Sequence, residues 1–203
     1  VREGFAGDEI RSISGIMNGT SNYILSRMQE ENLSFDEALA LAQEAGYAEA
    51  DPTLDVGGGD AGPKLSLLMR LAFGLGTSAG KLSIRGIQDV EKADIRTAEE
   101  LDCVIKLICH ARRNGNSGEV YAAVSPMMVK RTNFLSRVGG ATNAVRFENR
   151  YSGEHILVGK GAGSLETGSA VVADILAVAR FGRGAVESAA PAPGAPVLKG
   201  LEA

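Results

Sequence analysis

The stretch from Gly46 to Lys64, GYAEADPTLDVGGGDAGPK, constrains the fold of this 203-residue chain more than any other. Glu49, Asp51, Asp55 and Asp60 fall within it, interrupted by Pro52, three consecutive glycines and Pro63, and it ends in one lysine. Proline and glycine at these positions exclude a long regular helix, and no polar/apolar alternation marks a half-buried strand. The stretch is therefore a loop, held from both sides by better-patterned segments. Acids ahead of a lysine that opens an apolar helix suit a polar ligand placed beside a proton-transfer group. Taken alone, the same composition also fits a solvated acidic linker, and both readings stay open at this point.

The flanking pattern is clear. Ile10 to Ile16 (IRSISGI) is short, isoleucine-rich and bounded by turn residues, as a strand is. Asn18-Gly19-Thr20 makes a turn, and Asn22 to Glu30 has helical spacing, with Ile24 and Met28 four apart. Ser34 with Glu37 forms a capping box, and the helix it opens stops at Gly46, a natural residue to follow a helix end. Pro63 suits the first turn of the next helix, where a missing N–H costs nothing. That helix, Lys64 to about Phe73, is apolar on most sides and is expected to be deeply buried. The second half is strand-rich: LSIRGI, DCVIKLICHA, EVYAAVSPMMV, NAVRFENRY and HILVGKG. Turns at 114–118 and at Ser152-Gly153 join two pairs of these as hairpins. A short helical start is expected at Thr97 to Asp102, a strong helix at Val171 to Arg180, and a disordered Pro/Ala/Gly-rich tail at 184–203. Helices first and meandering strands after give an α+β fold, a mixed or antiparallel sheet with helices packed on one face.

Composition narrows the function classes. Apolar residues make up 44% and charged residues 23% of the chain, as in a globular protein with a sizeable core. A net charge of −4 supplies no basic footprint, so neither nucleic acid nor an anionic membrane surface is an expected partner. No run of eighteen apolar residues occurs, and the opening VREG has the pattern of neither a signal nor a transit peptide. Cys103 and Cys109 would share a strand face yet lie roughly 20 Å apart, too far for a disulfide. Reduced thiols in a cytoplasmic protein follow, and no spaced Cys/His cluster calls for a metal.

Gly57 to Gly62 matches G-x-G-x-x-G literally but lacks the context of a dinucleotide fingerprint. No buried strand precedes it, and no acid follows between Asp60 and Asp89 to bind a ribose. The glycines instead allow sharp turns that bring Asp60 and Lys64 together. These two stand four apart across a helix start, so they share a face; an ordinary first-turn ion pair is the simpler alternative. His110 and His155 lie within strand patterns and read as packed or surface residues. The five methionines read as core filling.

GIMNGTSNYIL (Gly15 to Leu25), the acidic stretch, LSLLMRLAFG after the lysine, and GKGAGSLETGSAVVADILAVAR (Gly159 to Arg180), in this order, closely resemble homoserine dehydrogenase. The resemblance runs from Val1 to about Arg183. It implies a substrate-binding and dimerisation domain over 1–160, a C-terminal segment and helix at 161–183 that packs back on a nucleotide-binding domain, and a tail at 184–203. That nucleotide-binding domain is expected to lie outside this chain. The implied reaction is reduction of L-aspartate-4-semialdehyde to L-homoserine by NADP or NAD, on the route to threonine, methionine and isoleucine, in a cytoplasmic homodimer. Lys64 matches the acid/base of the family, and Asp55 supports it. Glu49 and Asp60 match the groups that bind the substrate's amino group, Thr20 a residue that touches substrate, and Gly46 and Gly161 glycines that approach the cofactor. Tyr47 is a further substrate candidate, with simple packing as its alternative.

Two departures stand out. Gly62 and Pro63 replace an alanine and a histidine or arginine, and Glu166 replaces a proline found in many members. Carboxylates beside a lysine favour its charged form, which suits proton donation in the reduction direction. Two other functions fit the same residues: a non-catalytic dimerisation and substrate-binding module, or a dehydrogenase acting on another amino-acid semialdehyde.

Overall fold

Strand β1 (Ile10–Ile16) lies at the heart of a mixed sheet ordered β2-β4-β3-β1-β5-β6. It runs antiparallel to β3 (Cys103–Arg113) on one side and to β5 (Thr142–Asn149) on the other. In this computed structural model the described residues are 1, 3–75, 82–182 and 198–200. The fold is α+β, as the element pattern requires. Both expected hairpins are present. Strands β3 and β4 (Val120–Lys130) turn at Gly118, whose N–H donates to the Asn114 carbonyl at 2.8 Å, and β5 and β6 (Glu154–Lys160) turn at Gly153. Strand β2 (Ser83–Ile84) is all that pairs of the longer strand expected at LSIRGI, parallel to β4 at Ala123 and Val124. Pro126 therefore falls in a part of β4 with β3 on one side and, among the described residues, no strand on the other. A missing N–H is tolerated there.

Among the described residues six α-helices accompany the sheet: α1 (Gly19–Glu30), α2 (Phe35–Glu44), α3 (Thr53–Val56), α4 (Ala61–Phe73), α5 (Lys92–Glu100) and α6 (Ser164–Phe181). The capping box of α2 forms as read, with Ser34 N–H donating to Glu37 Oε2 at 2.7 Å and Ser34 Oγ accepting from Glu37 N–H. Its far end closes at Gly46 (φ 75), where Tyr47 N–H donates to the Ala42 carbonyl at 2.8 Å and Gly46 N–H to that of Gln43 at 3.0 Å. These are the paired bonds of a left-handed helix stop. Alternate β3 residues Ile105, Leu107 and Cys109 join Ile13 and Phe147 in one core, with Ile24, Leu25, Leu65, Met69 and Ile95 of the helices. The intervening residues Val104 and Ile108 form a smaller cluster on the other face with Ile16, Val129, Leu135 and Val138.

Four expectations need correcting. Helix α5 begins at Lys92 rather than near Thr97, because Glu91 and Asp94 form an acidic capping box that lacks the usual serine or threonine. The acidic stretch is not wholly irregular, since α3 is a single turn within it. Helix α4 buries Leu65 and Met69 but leaves Leu67 63% and Leu71 40% exposed, so it is covered on one side only. Finally, Leu198–Gly200 of the expected disordered tail forms β7, parallel to β4 at Val120 to Ala122; residues 183–197 and 201–203 lie outside the described residues.

Candidate active site

The site is assembled at the junction of β1, α1 and α4, around one buried asparagine. Asn18 caps α1: its Oδ1 accepts the Ser21 N–H at 2.7 Å. That leaves both amide protons for the acidic stretch, and Asn18 Nδ2 donates to Asp55 Oδ1 at 2.7 Å and to Asp60 Oδ2 at 2.9 Å. Ser21 Oγ binds the Asp55 carbonyl at 2.8 Å, a second tie between the helix start and the loop. Asp60 Oδ2 also receives the Lys64 ammonium at 2.6 Å, and Lys64 Nζ donates to the Met17 carbonyl at 3.2 Å. A lysine ammonium has three donors, so one remains for a ligand. Two carboxylates against one ammonium leave the cluster with a net negative charge, suited to a cationic group on the ligand.

The glycine run serves this packing. Gly58 has φ +77, and a Cβ there would stand 2.9 Å from Ile84 Cγ2; at Gly62 it would stand 2.6 Å from Ile84 Cδ1. Strand β2 therefore presses directly on the loop. The close approach turns the loop back on α4 and sets Asp60 over Lys64.

A cleft of about 350 Å³ opens beside the ammonium, lined by Lys64 with Ile16, Met17, Leu67, Leu68, Val145, Asn143 and Gly161. Its walls are mainly apolar, which accounts for the exposed Leu67 on α4. Gly161 packs against the Asn143 amide so tightly that any Cβ would collide with Asn143 Nδ2. Asn143 Oδ1 is buried and, among the described residues, has no hydrogen-bond partner.

Of the residues singled out in the sequence, Lys64, Asp60 and Asp55 come together directly or through Asn18, and Gly161 shares their cleft. Thr20 and Tyr47 are joined to one another, Thr20 Oγ1 donating to the Tyr47 carbonyl at 2.7 Å, while the Tyr47 ring lies 4.6 Å from that of Tyr23. Gly46 ends α2 and is not among the cleft residues. Glu49 is exposed; its carbonyl accepts from Gln43 Nε2, and among the described residues no hydrogen bond or ion pair holds its carboxylate. Sequence reasoning missed Asn18, Asn143 and Lys106. An asparagine just before a helix signals a cap, but its second attachment spans 42 residues to Asp60 and leaves no local trace.

Lys106 is buried, and its Nζ donates to Asn22 Oδ1 at 3.0 Å, Ser26 Oγ at 3.3 Å and the Val138 carbonyl at 2.8 Å. Asn22 Nδ2 in turn serves the carbonyls of Val138, Gly140 and Thr142. This network fastens α1, which carries Asn18, to the segment that leads into Asn143. Burial holds the Lys106 pKa down to about 8. Cys109, pushed up to about 12 by burial, stays protonated and is no nucleophile. Burial also lowers His110, with the positive charges of Arg112 and Arg146 acting in the same direction. Both cysteines are free, and among the described residues no group of His, Cys, Asp and Glu could hold a metal ion. No helix there is long and apolar enough to cross a membrane.

A family model for homoserine dehydrogenase matches residues 1–176. The chain belongs to the homoserine dehydrogenase family. The homoserine dehydrogenase of Neisseria gonorrhoeae is 45% identical over 181 residues, a match covering 89% of this chain and 41% of that protein. The chain thus spans about two-fifths of the length of the curated relatives it matches. The crystal structure of a homoserine dehydrogenase from Thiobacillus denitrificans superposes with a TM-score of 0.85 at 41% identity, covering 97% of this chain and 44% of that one. A hyperthermophilic archaeal homoserine dehydrogenase, solved in complex with NADPH, superposes with a TM-score of 0.72 at 28% identity, covering 88% of this chain and 50% of that one.

Proposed function

We propose that the chain is the substrate-binding and acid/base part of a dehydrogenase that reduces L-aspartate-4-semialdehyde to L-homoserine, in the synthesis of threonine, methionine and isoleucine. The observation that carries this reading is the Lys64 ammonium, held by Asp60 and the Met17 carbonyl at the mouth of a cleft, with Asp55 tied in through Asn18. NAD(P)H, when bound, supplies the hydride. The cleft's fit to a nicotinamide rests on its apolar walls, on Gly161, whose lack of a side chain leaves room for the Asn143 amide, and on the Asn143 oxygen, unpartnered among the described residues. Between NADP and NAD, the archaeal relative's complex with NADPH favours the former.

The chain's own residues do the rest. Lys64 polarises the aldehyde oxygen and donates its proton as negative charge develops there. Asp60, and Glu49 from the exposed loop, take the substrate's α-ammonium by charge-assisted hydrogen bonds and so reject substrates that lack it. Asp55 holds the lysine site through Asn18. Thr20 and Tyr47 border the substrate, and Gly46 and Gly161 give the cofactor backbone-close passage.

Residues 1–160 then form the substrate-binding and dimerisation unit of a homodimer placed in the cytoplasm. The segment at 161–183 packs on a nucleotide-binding domain. Support comes from α6, which leaves Val171, Val172, Ile175, Leu176 and Val178 about half exposed. A substrate panel tests the activity. The full dehydrogenase carrying this segment should turn over L-homoserine at least tenfold more efficiently than homologous amino alcohols; preference for another semialdehyde would overturn the reading.

A further inference from the structure

Asn143 lies at the start of β5 with its side chain in the wall of the Lys64 cleft. Its Oδ1 is buried and, among the described residues, accepts no hydrogen bond, which is costly for an amide oxygen. Apart from the Lys64 ammonium, which Asp60 and the Met17 carbonyl hold, the side chains that share the cleft with Asn143 are apolar: Ile16, Met17, Leu67, Leu68 and Val145. Yet the backbone is built to hold the amide in place. Gly161 lies flush against Asn143 Nδ2, and the segment just before Asn143 is anchored by Asn22 to the carbonyls of Gly140 and Thr142. An amide turns about its last side-chain bond between two broad, near-equivalent orientations. Its oxygen can therefore be offered to the cleft without moving the backbone.

We propose that Asn143 is a positioning residue whose amide oxygen accepts an N–H of the nicotinamide carboxamide beside Lys64, fixing which ring face meets the substrate. This rests on the dehydrogenase reading above. A neutral amide oxygen in an apolar wall pairs with a neutral amide N–H. A cationic ammonium is drawn instead to the carboxylates of Asp55 and Asp60. The pairing satisfies the orphaned oxygen and orients a planar ring between apolar side chains, and a half-turn of that ring about its glycosidic bond would present the opposite face, and so the other C4 hydrogen, to the substrate.

The test uses the full dehydrogenase carrying this segment, without substrate, and reads cofactor affinity by fluorescence titration. The probes are NADPH and its reduced 3-acetylpyridine analogue, which keeps the carbonyl but has a methyl group in place of the amide nitrogen. The unsubstituted protein should bind NADPH roughly 3- to 30-fold more tightly than the analogue, the worth of one hydrogen bond to a buried acceptor. Asn143→Ala should lose most of that discrimination, and Asn143→Ser, which keeps a short acceptor, should retain part of it. L-Homoserine affinity should stay within about twofold in both variants. Equal discrimination before and after substitution would overturn the inference alone, as would a loss confined to L-homoserine affinity, which would assign the oxygen to the substrate. A drop in Tm with unchanged discrimination would make Asn143 merely structural. Failure of the unsubstituted protein to bind either cofactor would overturn the dehydrogenase reading and this inference with it.

Discussion

At the scale of single residues, the site turns on Asn18. It caps α1 and ties both carboxylates of the acidic stretch, so its two functions can be separated by substitution. Asn18→Ala removes the cap, worth about 1 kcal/mol, and also strands Asp55 and Asp60, so Tm should fall by roughly 5 °C or more in a thermal melt. Asn18→Ser keeps a capping oxygen but cannot reach both acids; its Tm should fall less than that of Asn18→Ala by the worth of the cap, while catalysis drops. Equal thermal losses in the two variants would show that the amide bonds to Asp55 and Asp60 carry the stability. The sequence displayed Asp60 and Lys64 plainly, because four residues across a helix start is a local relationship. Asn18 stayed hidden because Asn18-Gly19-Thr20 reads as a turn, whereas Gly19 and Thr20 are already the first turn of α1 and Asn18 its cap; Asn143 did because an asparagine at a strand start looks like any turn residue. Gly62, which with Pro63 makes one of the two departures from the family pattern, lies against Ile84, whose Cδ1 would have to shift for an alanine there.

At the scale of elements, the acidic stretch is shaped by its neighbours more than by its own preferences. Gly58 combines a positive φ with the pressure of Ile84. Gly58→Ala should therefore cost about 1–3 kcal/mol, read by denaturant unfolding, even though it touches no catalytic group. Helix α5 and the cover over α4 were misjudged for related reasons. One is opened by an acid pair that mimics a capping box, and the other borders a cleft that only the folded chain creates. The Lys106 network was equally invisible, since a lysine inside an apolar strand pattern gives no sign of which carbonyls will meet it. Its titration has a definite sign. Buried Lys106 releases its proton near pH 8, whereas in the unfolded chain it holds it to about 10.5, so the unfolded state binds more protons in between. Stability should rise across that window by an amount on the order of 3 kcal/mol, a gain lost again as pH falls from 10.5 to about 8. Lys106→Met should flatten the rise when unfolding is followed at several pH values; an unchanged slope would assign it to other groups.

At the scale of the whole molecule, the helices cover one face of the sheet, and the opposite face carries only the smaller cluster around Ile108 and Val129. On that face Val158 remains 54% exposed, and Ile156 and Met127 are half-buried. A two-fold partner would cover it. Sedimentation should show a dimer at micromolar concentration, and a monomer alone would contradict the dimer. The chain by itself should bind NADPH weakly, because the glycine run supports Ile84 and not a phosphate; a low-micromolar affinity by calorimetry would reverse that assignment. The central claim is that Lys64 delivers the proton, and turnover of the full dehydrogenase carrying Lys64→Ala tests it most directly. With L-homoserine affinity kept by Glu49 and Asp60, kcat should fall by a factor on the order of 10² to 10⁴. Adding Asp60→Ala should then change kcat far less than the two single effects combined. Near-normal turnover in Lys64→Ala would contradict the account and leave Lys64 as an ordinary ion-pair partner of Asp60.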